Sequence, residues 1–275
     1  MLKLIKEASK PVIKYVQNKN LREFYRLYDK YNSYERFVKK KNVKFLRYIF
    51  DVADLRSFIY QFNDIFVDEL YQFTSIKKDP LIIDCGSNIG TSCAYFKKMH
   101  PYSKIICFEA DPEISEILIK NLNRNKIDSG ISIINKAVWI NENSIVFYPD
   151  GADGGSLMHY NSNNKKESIK VESVRLRDFL AIEKEIDMLK MDIEGAELEV
   201  LMDCKDELHK VKNIFIEFHS LPDKSLGLSS ILKLLEDSGI EYFLIPVNNL
   251  QSFFTSYENG FEFNAQINII GKRKQ

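Results

Sequence analysis

The segment DCGSNIG (84–90) places an acid, a hydroxyl, an amide and two glycines directly after an apolar run. Gly86 and Gly90 can adopt positive φ and carry no side chain, so a ligand can lie against the main chain. Amides that open the following helix favour a negative group. Glu109 ends the next apolar run, where an acid can accept hydrogen bonds from both hydroxyls of a ribose. The pattern predicts a nucleoside site, and a purely structural turn is the alternative.

The glycine spacing distinguishes between two classes of nucleoside ligand. Dinucleotide oxidoreductases use G-x-G-x-x-G, whereas this turn is G-x-x-x-G preceded by Asp84. An acid here would repel a pyrophosphate and would suit a ligand that carries a cationic amine and no phosphate. S-adenosylmethionine is such a ligand, so we expect it rather than a nicotinamide.

A second group of reactive residues lies in LKMDIEG (189–195) and IEFH (216–219). Period two places Lys190, Asp192 and Glu194 on one side of an extended chain. Charges in an apolar strand are costly unless they have a task. Glu217 and His219 follow the same alternation, and histidine titrates near neutral pH, which suits proton removal. The spacing leaves two mechanisms open: direct base catalysis, or a divalent cation such as magnesium on Asp192, Glu217 and His219.

The elements that must position these residues begin at Leu81. Short apolar runs alternate there with helical patterns, which predicts a doubly wound α/β fold with a mostly parallel seven-stranded sheet. The seven runs are LIID (81–84), KIICFEA (104–110), ISIINKAVW (131–139), MLKMDI (188–193), NIFIEFH (213–219), EYFLIP (241–246) and INIIG (267–271). Residues 141–178 interrupt this rhythm with short strands and a polar loop, in which Ser156 is a candidate substrate contact.

The preceding part of the chain differs in composition. Residues 1–50 hold fourteen Lys/Arg and four Asp/Glu, although the whole chain is neutral. Helical spacing in LREFYRLYDKYNSYERFVKK and FLRYIFDVADLRSFIYQF predicts two or three amphipathic helices. We therefore expect a basic helical N-terminal extension over 1–75 and a Rossmann-like domain over 76–275. The extension could contact an anionic membrane surface, the acidic half of its own chain or a second copy, which would make a homo-oligomer.

Other sequence features indicate the compartment. The four cysteines include no C-x-x-C pair, which is typical of a reducing compartment. The first residues lack a continuous apolar h-region, and no stretch approaches the roughly 18 apolar residues of a spanning helix. We expect a cytoplasmic protein, with membrane contact limited to residues 1–50.

These motifs, taken in order, resemble the FkbM-type methyltransferases from about residue 52 to 219. The resemblance is carried by NDIFVDELYQF, LIIDCGSNIG, FEADP, NKAVW, VESVRLRDFL, LKMDIEGAELEVLMDC and NIFIEFHS. It implies a class I methyltransferase that uses S-adenosylmethionine to methylate a hydroxyl of a sugar, a nucleotide-linked sugar or a surface polysaccharide.

The resemblance also implies a role for individual residues. Asp192 would face the sulfonium or the substrate. Lys190, which shares the side of Asp192 by the period-two spacing, is a candidate acceptor contact. The residues expected to hold the donor are Asp84, Gly86, Ser87, Asn88, Gly90, Glu109, Ala110 and Ala137. The residues expected near the chemistry are Asp192, Glu194, Glu217 and His219.

The basic, tyrosine-rich arm motivates one alternative, a protein that binds or modifies nucleic acid. Amino-methyltransferases of nucleic acids usually carry an Asn/Asp-Pro-Pro-aromatic stretch after the fourth strand, where this chain has DIEG (192–195). An acidic site would also repel phosphates. We therefore expect a small-molecule or glycan acceptor and no nucleic acid.

Overall fold

From Leu81 onward the chain alternates strands and helices. The computed structural model describes residues 15–152, 154–156, 167–220, 227–247 and 265–274. Their strands are β1 (Lys40–Phe45), β2 (Tyr48–Val52), β3 (Leu81–Cys85), β4 (Lys104–Phe108), β5 (Ile131–Ile134), β6 (Ala137–Trp139), β7 (Ser144–Phe147), β8 (Ile169–Arg175), β9 (Met188–Met191), β10 (Asn213–Ser220), β11 (Ile240–Pro246) and β12 (Ala265–Arg273). Their α-helices are α1 (Lys19–Tyr31), α2 (Leu55–Phe62), α3 (Thr91–Met99), α4 (Pro112–Arg124), α5 (Leu176–Ile182), α6 (Glu197–Asp203) and α7 (Gly227–Asp237).

A seven-stranded sheet with the order β11-β12-β10-β9-β3-β4-β5 forms the centre of the structure. All its strands run parallel except β12, which is antiparallel to both β10 and β11. Each of the seven predicted apolar runs supplies one strand, so the predicted fold class is confirmed. The run 131–139 is divided, because its second half forms β6 in a smaller sheet with the order β6-β8-β7.

Helices cover both faces of this sheet, and alternate residues of each strand face opposite sides. Ile82 belongs to the core formed with α3 and α4, whereas Ile83 belongs to the core formed with α5, α6 and α7. In the ranges that the structure describes, no helix is both long and apolar enough to cross a membrane.

The segment before β3 is only partly helical. The helices α1 and α2 are present, but α1 ends at Tyr31, and β1 and β2 form an antiparallel hairpin. The predicted helices are therefore wrong for residues 32–40 and 45–52. Tyr48, Phe50 and Val52 are buried in alternation, which is the period of a strand. Aromatic and β-branched residues favour that pleated, half-buried surface.

The described part of residues 1–75 shares its core with the sheet. A π-helical turn at Asn63–Val67 carries Phe66, whose ring stacks on Phe62 at 5.1 Å and meets Tyr95 of α3 edge-on at 5.4 Å. Residues from α1 through Phe73 belong to the same hydrophobic cluster as α3 and α4. The segment therefore covers one face of the sheet directly.

Two asparagines of α4 form hydrogen bonds with the outer edge of β2 in the hairpin. Asn125 exchanges two hydrogen bonds with the backbone of Ile49, both 2.8 Å long. Asn121 does the same with Asp51, at 2.7 and 2.9 Å, and also donates to the carbonyl of Ile89 at 3.0 Å. The hairpin is thereby fixed to the turn that follows β3.

Candidate active site

A cavity of about 780 Å³ lies along the carboxyl ends of the parallel strands. Five residues of its wall form a line across neighbouring strands, which we call the rim row: Glu109, Gly86, Asp192, Glu217 and Asn268. The first four directly follow Phe108, Cys85, Met191 and Ile216, which pair in that order across β4, β3, β9 and β10. Asn268 on β12 pairs directly with Glu217. Because neighbouring strands lie about 4.8 Å apart, the row spans about 19 Å from its β4 end to its β12 end.

The two glycines of the turn after β3 have different tasks. Gly86 has a φ of +83°, and a Cβ there would lie 1.9 Å from the backbone oxygen of Asp192. Gly90 has a φ of +93°, and its Cβ would lie 2.7 Å from a methyl group of Leu118 in α4. Gly86 thus lets the turn touch the residue after β9, whereas Gly90 lets α3 pack on α4.

Glu109 is fixed by backbone amides at the β4 end. Its Oε2 accepts from the amide of Asn88 at 2.9 Å, and its Oε1 accepts from the amide of Asp111 at 2.9 Å. Burial raises the pKa of Glu109 to about 7, although both hydrogen bonds act in the opposite direction. The side chain of Asn88 donates to the carbonyl of Ala152 at 3.1 Å, so the loop after β7 closes over this turn.

A largely apolar slot lies beside Glu109. Ala110, Ala137, Val138 and Phe147 contribute to this part of the cavity wall. Ser156, predicted to touch the acceptor, is buried, and its backbone pairs with Tyr148 outside this wall. Residues 157–166 of the same loop lie outside the described residues.

Lys190 connects the turn after β3 to the centre of the row. Its Nζ donates to the carbonyl of Gly86 at 2.6 Å and lies 3.3 Å from Asp192 Oδ2 and 3.6 Å from Asp84 Oδ1. Burial alone would lower the pKa of Lys190, but Asp192 and Asp84 outweigh it and raise the pKa well above its ordinary value. Asp84 also accepts from the hydroxyl of Ser92 at 2.6 Å, so this buried acid supports the site from below.

His219 lies among three carboxylates and outside the cavity wall. Its Nδ1 is 3.2 Å from Glu197, and its Nε2 is 3.4 Å from Glu194 and 3.8 Å from Glu217. Burial would lower the pKa of His219, but these acids raise it well above its ordinary value. An imidazole that already holds its proton is a poor base.

The turn after β9 orients Glu194. Glu194 and Gly195 have φ values of +54° and +97°, so the extended geometry expected through residue 194 does not continue and Glu194 turns toward His219. Glu197 closes this turn by accepting from the amides of Ile193 at 3.2 Å and Gly195 at 3.0 Å. Sequence reasoning missed Glu197, which resembles an ordinary acid at the start of a helix.

The same side chains meet the spacing of a metal site. Asp192, Glu194 and His219 each offer one ligand atom, and the three atoms lie within 4.8 Å of one another. The metal ligands predicted from the sequence were instead Asp192, Glu217 and His219. The contact of His219 Nδ1 with Glu197 is of the kind that orients metal-binding histidines.

The β12 end of the row combines aromatic and amide side chains. Tyr71 and Phe215 meet edge-on at 4.7 Å in the cavity wall. Gln266 donates to Glu217, whose pKa burial raises to about 8. Sequence reasoning missed Tyr71, Gln266 and Asn268, although a polar residue inside the apolar strand INIIG was a usable signal for the last.

The structure brings most of the predicted site residues to one cavity. In its wall are Gly86, Ser87, Asn88, Glu109, Ala110, Ala137, Lys190, Asp192, Glu194 and Glu217. Outside the wall are Asp84, Gly90, Ser156 and His219. The first two of these support the turn after β3, and His219 contacts the acids of the wall.

Comparison with known proteins identifies the family of this chain. A family model described as "Methyltransferase FkbM domain" matches residues 84–259. The chain belongs to the FkbM methyltransferase family. The resemblance seen in the sequence motifs is thereby confirmed.

Curated relatives of this FkbM methyltransferase agree with that assignment. Methyltransferase sdnD of Sordaria araneosa is 29% identical over 217 residues, covering 67% of this chain and 82% of that protein. The 2-O-methyltransferase NoeI of Sinorhizobium fredii is 29% identical, with coverages of 58% and 72%. Hexuronic acid methyltransferase AglP of Haloferax volcanii is 25% identical, with coverages of 64% and 70%. The chain is therefore an S-adenosylmethionine-dependent methyltransferase.

A solved structure with a related name was also found. Methyltransferase FkbM from Methylobacillus flagellatus KT aligns with a TM-score of 0.46 and 14% identity, covering 91% of this chain and 59% of that one.

The residues at the β4 end fit S-adenosylmethionine. Glu109 offers a fixed carboxylate to the ribose hydroxyls, and the slot at Ala110 and Ala137 suits a flat base. Thr91, the first residue of α3, lies in the wall and would meet the carboxylate of the methionine end. Asp192 lines the same cavity beside this turn, with its Oδ2 3.3 Å from the Nζ of Lys190.

Proposed function

We propose that this methyltransferase acts on a hydroxyl of a sugar, either linked to a nucleotide or part of a surface polysaccharide. The rim row supports this proposal, because it continues past the donor residues with Glu217, an amide and an aromatic wall. Two relatives carry names that specify 2-O-methylation and a hexuronic acid substrate.

Most of the rate acceleration would come from holding the acceptor oxygen and the donor methyl group in the correct alignment. The donor supplies a methyl group made electrophilic by its positive sulfur. Glu109 and the Gly86 turn would hold the ribose and the methionine end, while Lys190 keeps the turn and Asp192 in place. Fixing the oxygen, the methyl carbon and the sulfur in line can contribute about 7–11 kcal/mol.

Glu217 would receive the proton of the sugar hydroxyl. It lies in the cavity wall beside Asp192, on the acceptor side of the row. Bound S-adenosylmethionine would give its methyl group to the sugar oxygen and leave as the neutral thioether, while the carboxylate of Glu217 would accept the hydroxyl proton. A base at this position is worth typically about 10²–10⁴-fold in rate. The positive sulfonium would favour the ionised form of Glu217, and His219 would position the surrounding carboxylates.

A divalent cation on Asp192, Glu194 and His219 is the second candidate mechanism, supported by the spacing of their ligand atoms. It would lower the pKa of the sugar hydroxyl in place of direct proton removal. Exhaustive chelation followed by titration with magnesium or manganese separates the two. Under the direct mechanism, chelated enzyme keeps its full turnover.

Two measurements test the function itself. Calorimetry with S-adenosylhomocysteine should show binding, and a screen of nucleotide sugars and oligosaccharides should yield a product heavier by one methyl group.

Glu217→Gln should cut kcat by about 100-fold or more and leave donor affinity within twofold. Glu236→Gln is the matched control, since Glu236 is exposed on α7 and its carboxylate accepts a hydrogen bond from the hydroxyl of Tyr242, away from the cavity. Methylation of RNA but of no sugar would overturn the proposal.

A further inference from the structure

Asn268 carries an unused hydrogen-bonding atom in the cavity wall. Its side chain is about nine-tenths buried, with 6% exposure, and its Oδ1 has no hydrogen-bond partner among the described residues. A buried polar group without a partner destabilises the fold, because it has lost its hydrogen bonds to water. Since Asn268 also lines the cavity, a ligand group is the natural partner of this oxygen.

The position of Asn268 assigns that partner to the acceptor. β12 lies three strands from β3 and four from β4, or about 14 and 19 Å from the residues that hold the donor. By contrast, Asn268 pairs directly with Glu217, and facing residues of antiparallel strands project to the same side. The amide therefore lies beside the group proposed to take the proton.

The neighbours of Asn268 define the chemistry it can recognise. Gln266, two residues earlier on β12, is already engaged with Glu217 and lies 3.3 Å from His219 Nε2. Asn268 offers one acceptor oxygen and an NH₂ group, a combination that matches a hydroxyl, which both donates and accepts. The rings of Tyr71 and Phe215 supply an apolar surface in the same cavity.

We propose that Asn268 is a specificity-determining residue that hydrogen-bonds the sugar hydroxyl adjacent to the one that is methylated. The acceptor is then a vicinal diol, with one oxygen at Glu217 and its neighbour at Asn268. This inference rests on the proposed function, since it requires a sugar acceptor.

A site built to hydrogen-bond a hydroxyl discriminates strongly against an analogue that lacks it, by up to about 10⁴–10⁵-fold. The test compares a nucleotide-linked hexose that the wild type methylates with its deoxy analogues at the neighbouring carbons. Wild type should lose at least about 100-fold in kcat/KM on one analogue. Asn268→Leu, which keeps the approximate shape, should lose a similar factor on the complete sugar but discriminate less than threefold between it and that analogue.

Two controls separate recognition from damage to the fold. Affinity for S-adenosylhomocysteine should stay within twofold in Asn268→Leu, because the donor lies at the other end of the row. Asn268→Asp keeps an acceptor oxygen and should retain part of the discrimination between the complete sugar and its deoxy analogue. It replaces Asn268→Leu in this test if the leucine variant does not fold.

The outcomes distinguish this inference from the function on which it rests. If the wild type methylates the hexose and Asn268→Leu still discriminates as the wild type does, the role of Asn268 is wrong and the proposed function stands. If the wild type binds S-adenosylhomocysteine but methylates no sugar in the screen, both proposals fall.

Discussion

At the β4 end of the rim row the cavity wall comes from two short turns, whereas at its β12 end it comes from distant segments of the chain. Gly86 and Glu109 lie 23 residues apart, and backbone amides fix the glutamate. Tyr71, Glu217 and Asn268 meet only because the strands pair in register. The β4 end therefore depends on local turn geometry, whereas the β12 end depends on side chains that strand pairing brings together.

The largest expected effect concerns the backbone of the β4 end. In Gly86→Ala the new methyl group would collide with the carbonyl of Asp192, so we expect a loss of about 4 kcal/mol or more in the free energy of unfolding and no binding of S-adenosylhomocysteine. Gly239→Ala is the control, because Gly239 has a similar φ of +74° but its nearest atom would be 3.6 Å away. Strain alone should cost about 1–2 kcal/mol there. If the two variants lose the same free energy of unfolding in urea, the close contact between Gly86 and the backbone of Asp192 is unimportant for stability.

Lys190→Met tests the connection between the two ends. It leaves Asp84 buried without its cation, which should cost about 3–5 kcal/mol in unfolding free energy and weaken both donor binding and turnover. Lys233→Met, which removes an exposed pair with Asp237, should cost less than 1 kcal/mol. Adding Asp84→Asn to Lys190→Met should restore part of the stability, and a further loss would contradict this account.

Glu109→Gln should act on the β4 end alone. Removing a charged hydrogen-bond acceptor should weaken donor affinity by about 10- to 100-fold. Because the pKa of Glu109 in the free protein is raised to about 7, the ionised form that binds the ribose is lost as pH falls through 7. Wild-type donor affinity should therefore decrease from pH 8 to pH 6 in calorimetry, and the variant should lack this step. A pH-independent wild type would remove Glu109 from the ribose site.

The smallest effect is expected at Lys136, a partly exposed residue of the cavity wall at the β4 end. Its ammonium pairs with Glu172 at 2.9 Å on the surface, so Lys136→Met should change donor affinity by less than twofold. A tenfold change would show that Lys136 also contributes to donor binding, so that the β4 end would depend on a second charged side chain besides Glu109.

The sequence predicted the fold class, and it predicted that the turn after β3 and Glu109 lie at one edge of the sheet, for the same reason. Apolar runs and a turn of seven residues are local patterns, and each appears in the structure at the expected place. Glu197 and Asn268 were missed because their importance depends on what lies opposite them. Glu197 matters through His219, and Asn268 matters through its pairing with Glu217. Strand register of this kind joins residues about 50 positions apart, and no spacing rule reveals it.

The helix prediction for the hairpin failed for a different reason, because its local pattern fits two conformations. Residues 45–52 contain apolar side chains at intervals that suit either a helix or a strand, and the choice is made by packing. Val43 and Phe45 face inward with Tyr48 and Phe50, against the helices that cover the sheet. Tertiary contact therefore decided a conformation that local pattern left ambiguous.

The amides of Asn121 and Asn125 have a practical consequence for anyone shortening this enzyme. They occupy the hydrogen-bonding positions that a third strand would take beside β2, so this edge of the hairpin is not open for a foreign chain to extend. A truncation that starts at β3 would strip both amides of their partners and uncover the aromatic side of α3. We expect such a fragment to aggregate, so an expression fragment should begin no later than the first described helix, α1.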